Sequence, residues 1–173
     1  MLLLHLADIH FRTGEAGTAM DPNARLRDQL MEDAHVQVQA LGGKVDAILV
    51  AGDIAYQADP EEYKFAFEWF ERLCEKCGTT AAAMFVVPGN HDIDQKVTSR
   101  KIIQAIHKDI KAANEISREA VLRGLLTDKE TGRFLYESLD SYNAFANRFC
   151  SRRSRSEPPC RSNSEPGRKL TFA

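Results

Sequence analysis

In Ala47-Ile48-Leu49-Val50-Ala51-Gly52-Asp53 the apolar run Ala47 to Ala51 turns polar without transition, and its reading decides the fold. The run Leu2 to Ala7 ends the same way at Asp8, and Ala83 to Val87 does so at Pro88-Gly89-Asn90-His91-Asp92. Short continuous apolar runs of this kind read as buried strands. Between the first two, Leu26, Leu30, Ala34, Val38 and Leu41 recur at helical spacing after Asp21-Pro22 and stop at Gly42-Gly43. That is a helix with both ends marked. Between the second and third, Asp59-Pro60-Glu61-Glu62 repeats the start signal, and Tyr63, Phe67, Phe70 and Leu73 form the inward stripe before Gly78.

Strand, helix, strand, helix, strand with short connections predicts an α/β fold. Its strands are mostly parallel, joined by right-handed crossovers and flanked by helices, with active residues gathered at the carboxyl ends of the strands. The three polar clusters all fall there. Further helices are expected over residues 99–121, with Ile102, Ile106, Ile110 and Ala113 on one face, and over residues 134–149, with Leu135, Leu139, Tyr142 and Phe149.

The clusters carry metal chemistry. Asp8 and His10 are two apart, so a strand continuing in extended form points both side chains the same way, as two ligands on one ion require. A carboxylate with an imidazole suits manganese, iron, zinc or nickel better than calcium. Gly52 lets the backbone turn tightly before Asp53, whose carboxylate can bridge two ions. Asn90 offers a neutral carbonyl ligand. His91 offers an imidazole to protonate a leaving oxygen. For Asp92 two roles stay open, orienting His91 in catalysis or capping the turn. His5 reads as a core histidine and His35 as a helix residue near the solvent boundary, and neither is nominated.

Asp8-x-His10, Gly52-Asp53 and Gly89-Asn90-His91-Asp92, in that order on successive strands, resemble the calcineurin-like metallophosphoesterase superfamily. The resemblance implies the N-terminal part of an α/β/β/α sandwich and two divalent transition-metal ions. In it Asp8 and His10 hold the first ion, Asp53 bridges, Asn90 holds the second, and His91 assists at the leaving group. The implied activity is hydrolysis of a phosphomonoester or phosphodiester. Gly52-Asp53-Ile54-Ala55, the Pro-Glu-Glu-Tyr helix start and Val87-Pro88-Gly89-Asn90-His91-Asp92 are most similar to the branch that includes cyclic-nucleotide phosphodiesterases. After residue 95 the chain departs from the family's pattern, which continues to a lone histidine and a Gly-His-x-His motif not recognisable here. The sandwich is therefore expected to be incomplete, the chain a truncated or frame-altered product, and its activity alone weak or nil. The alternatives are a non-catalytic remnant that binds a partner or forms an oligomer through an exposed sheet edge, and a metal-dependent nuclease.

Composition bounds these readings. With 173 residues and 43% hydrophobic content the chain suits one domain with a real core. Residues 1–150 are expected to be the metallophosphoesterase domain. From Ser151 to Ala173 the sequence is rich in Arg, Ser and Pro and reads as a disordered tail. That tail holds six Lys/Arg against two Glu, which leaves 17 against 23 Asp/Glu in the domain. An acidic domain does not favour nucleic acid, although a local patch is left open. The Met-Leu-Leu-Leu start has no basic leader and is too short to span a bilayer, so a cytoplasmic protein with no membrane association is expected. Cys74, Cys77, Cys150 and Cys160 lack the spacing of a zinc site and read as free thiols.

Overall fold

The computed structural model describes the backbone of residues 1–156 and the side chains of residues 1–150. The expected disordered tail, apart from its first six residues, lies outside the described residues. The elements run β1 (Leu3–Leu6), α1 (Ala24–Ala40), β2 (Ala47–Ala51), α2 (Pro60–Lys76), β3 (Met84–Val87), α3 (Gln95–Thr98), α4 (Lys101–Ala112), α5 (Glu115–Thr127), α6 (Lys129–Arg133) and α7 (Asp140–Ser156). The strands form one parallel sheet in the order β1-β2-β3, with Leu4 level with Ile48 and Ile48 level with Met84.

The apolar runs predict buried strands, but only one face of the sheet is buried. Leu6, Ile48, Val50 and Met84 point into the core, while Leu3, Phe85 and Val87 are exposed on the other face beside the equally exposed His5. His5 is thus not the core histidine expected. The cause is topological. When three strands are laid down in one direction, right-handed crossovers put both connecting helices on the same face, and no reversal brings a helix to the other. Among the described residues this is a single sheet, consistent with part of a sandwich.

Helix α2 follows its sequence signals closely. Asp59 caps it, Glu62 completes the capping box, Pro60 opens the first turn, and Tyr63, Phe67, Phe70 and Leu73 are all buried. Helix α1 is rotated from the predicted stripe, with Arg27, Met31, Ala34 and Val38 inward and Leu26 and Leu41 outside. Arg27 takes the inward place because it ion-pairs with Asp21 and lies over the Phe11 ring at 4.7 Å. Asp21 is therefore the arginine's partner. The N-cap itself is Asn23, which makes no side-chain cap bond.

The single helix expected over 99–121 is two. Asn114 breaks it, accepting from the backbone N–H of Ser117 as the cap of α5. Inside α4 the buried residues are Ile103 and Ile106, while Ile102 is exposed. The last helix starts at Asp140 and not 134, and continues past the expected domain end to Ser156. Its Tyr142, Phe145 and Phe149 pack on α2, with Phe145 5.1 Å from Tyr63 and Phe149 5.2 Å from Phe67 between ring centroids. Cys74 and Cys77 are buried and Cys150 is exposed. Among the described residues no helix is long and apolar enough to cross a membrane.

Candidate metal centre

The three polar clusters meet beyond the carboxyl ends of the strands, but not by the route the spacing of Asp8 and His10 suggested. β1 stops at Leu6, and Asp8 and His10 both adopt left-handed backbone, with φ of 57° and 52°. Asp53 does the same at 50°. An extended continuation is therefore wrong; the backbone reverses at each of these residues. Left-handed conformation at a residue with a side chain costs about 1–3 kcal/mol, and such residues concentrate where function requires them. Asp and His tolerate it better than most types, so these residues suit both the turn and the chemistry.

Two glycines let the loops close. Gly52, at φ 82°, lies so near Gly89 that a Cβ there would meet the Gly89 Cα at 2.9 Å. A Cβ on Gly89 would in turn collide with the backbone N and carboxylate of Asp53. The backbone is then stitched: Asp8 N–H donates to Gly52 C=O at 3.3 Å, His10 N–H to Asp53 C=O at 3.0 Å, and His91 N–H to Asp53 Oδ1 at 2.9 Å.

His10 Nε2 stands 4.0 Å from Asp8 Oδ1 and 3.9 Å from Asp53 Oδ2, beyond hydrogen-bond distance. Two ligand atoms each about 2.1 Å from a shared ion can lie up to roughly twice that apart, so these separations fit a common cation. Among the described residues His10, Asp53 and His91 form the one group of three such side chains whose ligand atoms all lie within 4.8 Å of one another. His10 Nδ1 is buried without a partner. The donors present fit a divalent transition metal.

A profile of the calcineurin-like phosphoesterase family matches residues 1–155. The chain belongs to that family. It is similar to an uncharacterized metallophosphoesterase-like protein, YydB, of Bacillus subtilis, at 29% identity over 107 residues. It is also similar to the glycerophosphodiester phosphodiesterase GpdQ of Enterobacter lignolyticus, at 33% identity over 94 residues. These matches take in 61% and 53% of this chain but 20% and 30% of the relatives. The chain thus spans less than a third of either.

In this member of the calcineurin-like phosphoesterase family the remaining nominated residues are placed differently from one another. Asp8 is largely exposed at the rim. Asn90, also exposed, lines with His91, Tyr56, Gln57 and Lys96 a cleft of about 420 Å3 beside the His10–Asp53–His91 group. His91 holds a fixed pose: its Nδ1 is 2.8 Å from the Tyr56 carbonyl, its ring stacks on the Tyr56 ring at 5.2 Å, and it meets His10 edge-on at 4.7 Å. Since a carbonyl only accepts, Nδ1 carries the proton and Nε2 is free to face the cleft.

Asp92, nominated with His91 as catalytic, faces away from the cleft. It is fully buried, and its carboxylate accepts from the N–H groups of Ile54, Ala55 and Gly89 and from the Tyr63 hydroxyl, at 2.9–3.2 Å. Four donors leave it no reach toward His91; it ties the Gly-Asp loop to the Gly-Asn-His-Asp loop and to α2. Burial, and then the charge and hydrogen bond of Asp92, push the Tyr63 phenol far above its ordinary range, and burial with Asp92 does the same to Tyr142. Sequence reasoning also passed over Tyr56 and Glu62. The capping box at Asp59 and Glu62 was the available signal, but it announces a helix start and not a second duty at the site.

Proposed function

We propose that this chain supplies the first-metal half and the bridge of a phosphoesterase that uses two divalent transition-metal ions to hydrolyse a phosphate ester, with a phosphodiester as the preferred class. The observation that carries the reading is the convergence of His10, Asp53 and His91, with Asp8 beside them, at the strand ends. Likeness to a glycerophosphodiester phosphodiesterase supports the diester preference. Bound ions of this kind supply Lewis-acid charge to phosphate oxygens and a water nucleophile near neutral pH.

In this reading Asp8 and His10 would hold one ion, Asp53 would serve both, and Asn90 would offer its carbonyl oxygen to the second. His91, steadied through Nδ1, turns Nε2 toward the leaving oxygen, to which it gives a proton or a hydrogen bond. Asp92 acts at one remove, by keeping the two loops in register. The cleft lined by Gln57, Asn90 and Lys96 receives the polar part of the ester.

The test is hydrolysis of bis(p-nitrophenyl) phosphate and p-nitrophenyl phosphate with added manganese, comparing the chain with Asp53→Asn. Loss of a bridging carboxylate should lower turnover by at least about 100-fold, more than the loss of an outer contact to a metal site. Turnover that is robust and indifferent to the substitution would overturn the assignment.

A further inference from the structure

Glu62 is 2% exposed, yet it is a carboxylate. Its Oε1 accepts from the N–H of Thr13 at 3.1 Å, and its Oε2 from the N–H groups of Tyr56, Gln57 and Asp59 at 3.1, 2.9 and 3.2 Å. The bond from Asp59 is half of the capping box and belongs to helix α2. The other three reach loops that flank the candidate metal centre. A helix cap needs none of them.

The bond from Gln57 has a particular consequence. Its N–H and the carbonyl of Tyr56 are the two ends of one peptide unit, which is planar and holds them pointing in opposite directions. One end of that plate donates to Glu62 at 2.9 Å and the other accepts from His91 Nδ1 at 2.8 Å. A carboxylate pulling on the N–H polarises the amide and makes its carbonyl a better acceptor. The Tyr56 N–H, shared between the Phe11 carbonyl at 3.0 Å and Glu62, keeps the preceding peptide unit from swinging.

We propose that Glu62 is a positioning residue: acting through the Tyr56–Gln57 peptide unit, it fixes the ring of His91 and the nitrogen that carries its proton, and so aims Nε2 at the cleft. The inference deepens the phosphoesterase reading and rests on it for its functional meaning, although its structural content stands in the metal-free chain. A rival arrangement exists on the same residues. The Tyr56 ring stacks on His91, and the Arg12 guanidinium lies 3.8 Å from the centre of that ring, so side-chain stacking is the competing means of holding His91. The two accounts separate experimentally, because one needs the Tyr56 backbone and the other its ring.

The experiment reads the His91 tautomer by imidazole nitrogen NMR on the full, metal-free chain at a pH where the ring is neutral. The wild type should show a single tautomer protonated at Nδ1. Glu62→Gln puts an amide NH2 among N–H donors, and it should lose that single form to a mixture in which Nε2–H predominates. Tyr56→Ala, which keeps the carbonyl, should retain the Nδ1–H form. A Glu62→Gln chain that keeps the single Nδ1–H tautomer overturns the proposal, and so does its loss in Tyr56→Ala. If Glu62→Gln fails to fold, Glu62→Asp decides: the shorter carboxylate should lower the share of the Nδ1–H form, and a wild-type tautomer pattern in that variant overturns the proposal. The two readings fail separately. Robust turnover indifferent to Asp53→Asn, with an intact tautomer pattern, would sink the hydrolase alone, whereas Asp53-dependent turnover with a tautomer indifferent to Glu62 would sink the positioning role alone.

Discussion

The loops at the carboxyl ends of β1, β2 and β3 and the arm made of α4, α5 and α6 are held in opposite ways. The loops are irregular and carry left-handed residues, yet two buried carboxylates collect their N–H groups, Glu62 those of Thr13, Tyr56, Gln57 and Asp59, and Asp92 those of Ile54, Ala55 and Gly89. The arm is regular helix, but α5 buries no residue, Ile116 is almost wholly exposed, and the buried Ile103 and Ile106 of α4 stand apart from the main core. Regularity is thus no guide to rigidity here. Irregular backbone stays put when each buried donor meets an acceptor that cannot be replaced by water, while short helices with little tertiary packing are only marginally stable. The strain of left-handed Asp8, His10 and Asp53 is sustained by the firmly held region, where an error of position would matter to a metal.

Removal of Asp92 should break the contrast most sharply. Asp92→Ala strands four donors, three of them in buried hydrogen bonds and one in a part-buried bond, and at about 1–3 kcal/mol per unsatisfied group, with incomplete additivity, a loss of about 4 kcal/mol is expected in urea denaturation. A loss under about 1 kcal/mol would show that the loops are held by something else.

A smaller effect comes through pH. The Tyr63 phenol is raised above its ordinary value of 10.0, by burial first and by Asp92 next. A group raised in the folded state contributes its stability in full below the ordinary value and loses it as pH climbs beyond, so the urea midpoint should fall above about pH 10. Tyr63→Phe should cost about 1 kcal/mol at pH 8 and make that fall shallower. Some slope should persist, because Tyr142 is raised too. An unchanged slope would remove Tyr63 from the account. On the arm, by contrast, Ile116→Ser should change stability by no more than about 0.5 kcal/mol, and a cost above about 1 kcal/mol would mean that α5 is covered in solution.

Much of this was legible in the residues. β2 has its predicted bounds, α2 starts at its predicted cap and buries its predicted stripe, and the three motifs suffice for the family. These signals are local, a period, a cap or a motif of a few residues, and each is complete within one element. Helix α1 shows the limit of such reading: the expected stripe through Leu26, Leu30 and Leu41 gives way to one through Arg27 and Met31, because Arg27 finds Asp21 and the Phe11 ring. The break at Asn114 was a cap signal hidden by a longer apolar period.

What the sequence by itself determined is the succession of strands and helices, the residue types able to hold a metal, and the superfamily they mark. What only the tertiary structure decided is how those residues face. Asp8 and His10 share a side because the backbone turns left-handed at each and not because a strand runs on, Asp92 is turned inward, and one face of the sheet is left open by the direction of its crossovers. Each of these depends on contacts between residues tens of positions apart, such as Asp92 with Ile54 or Glu62 with Thr13. A neighbouring-residue pattern records what a segment can form, whereas the direction in which its polar groups turn is set by the partners that folding brings to them.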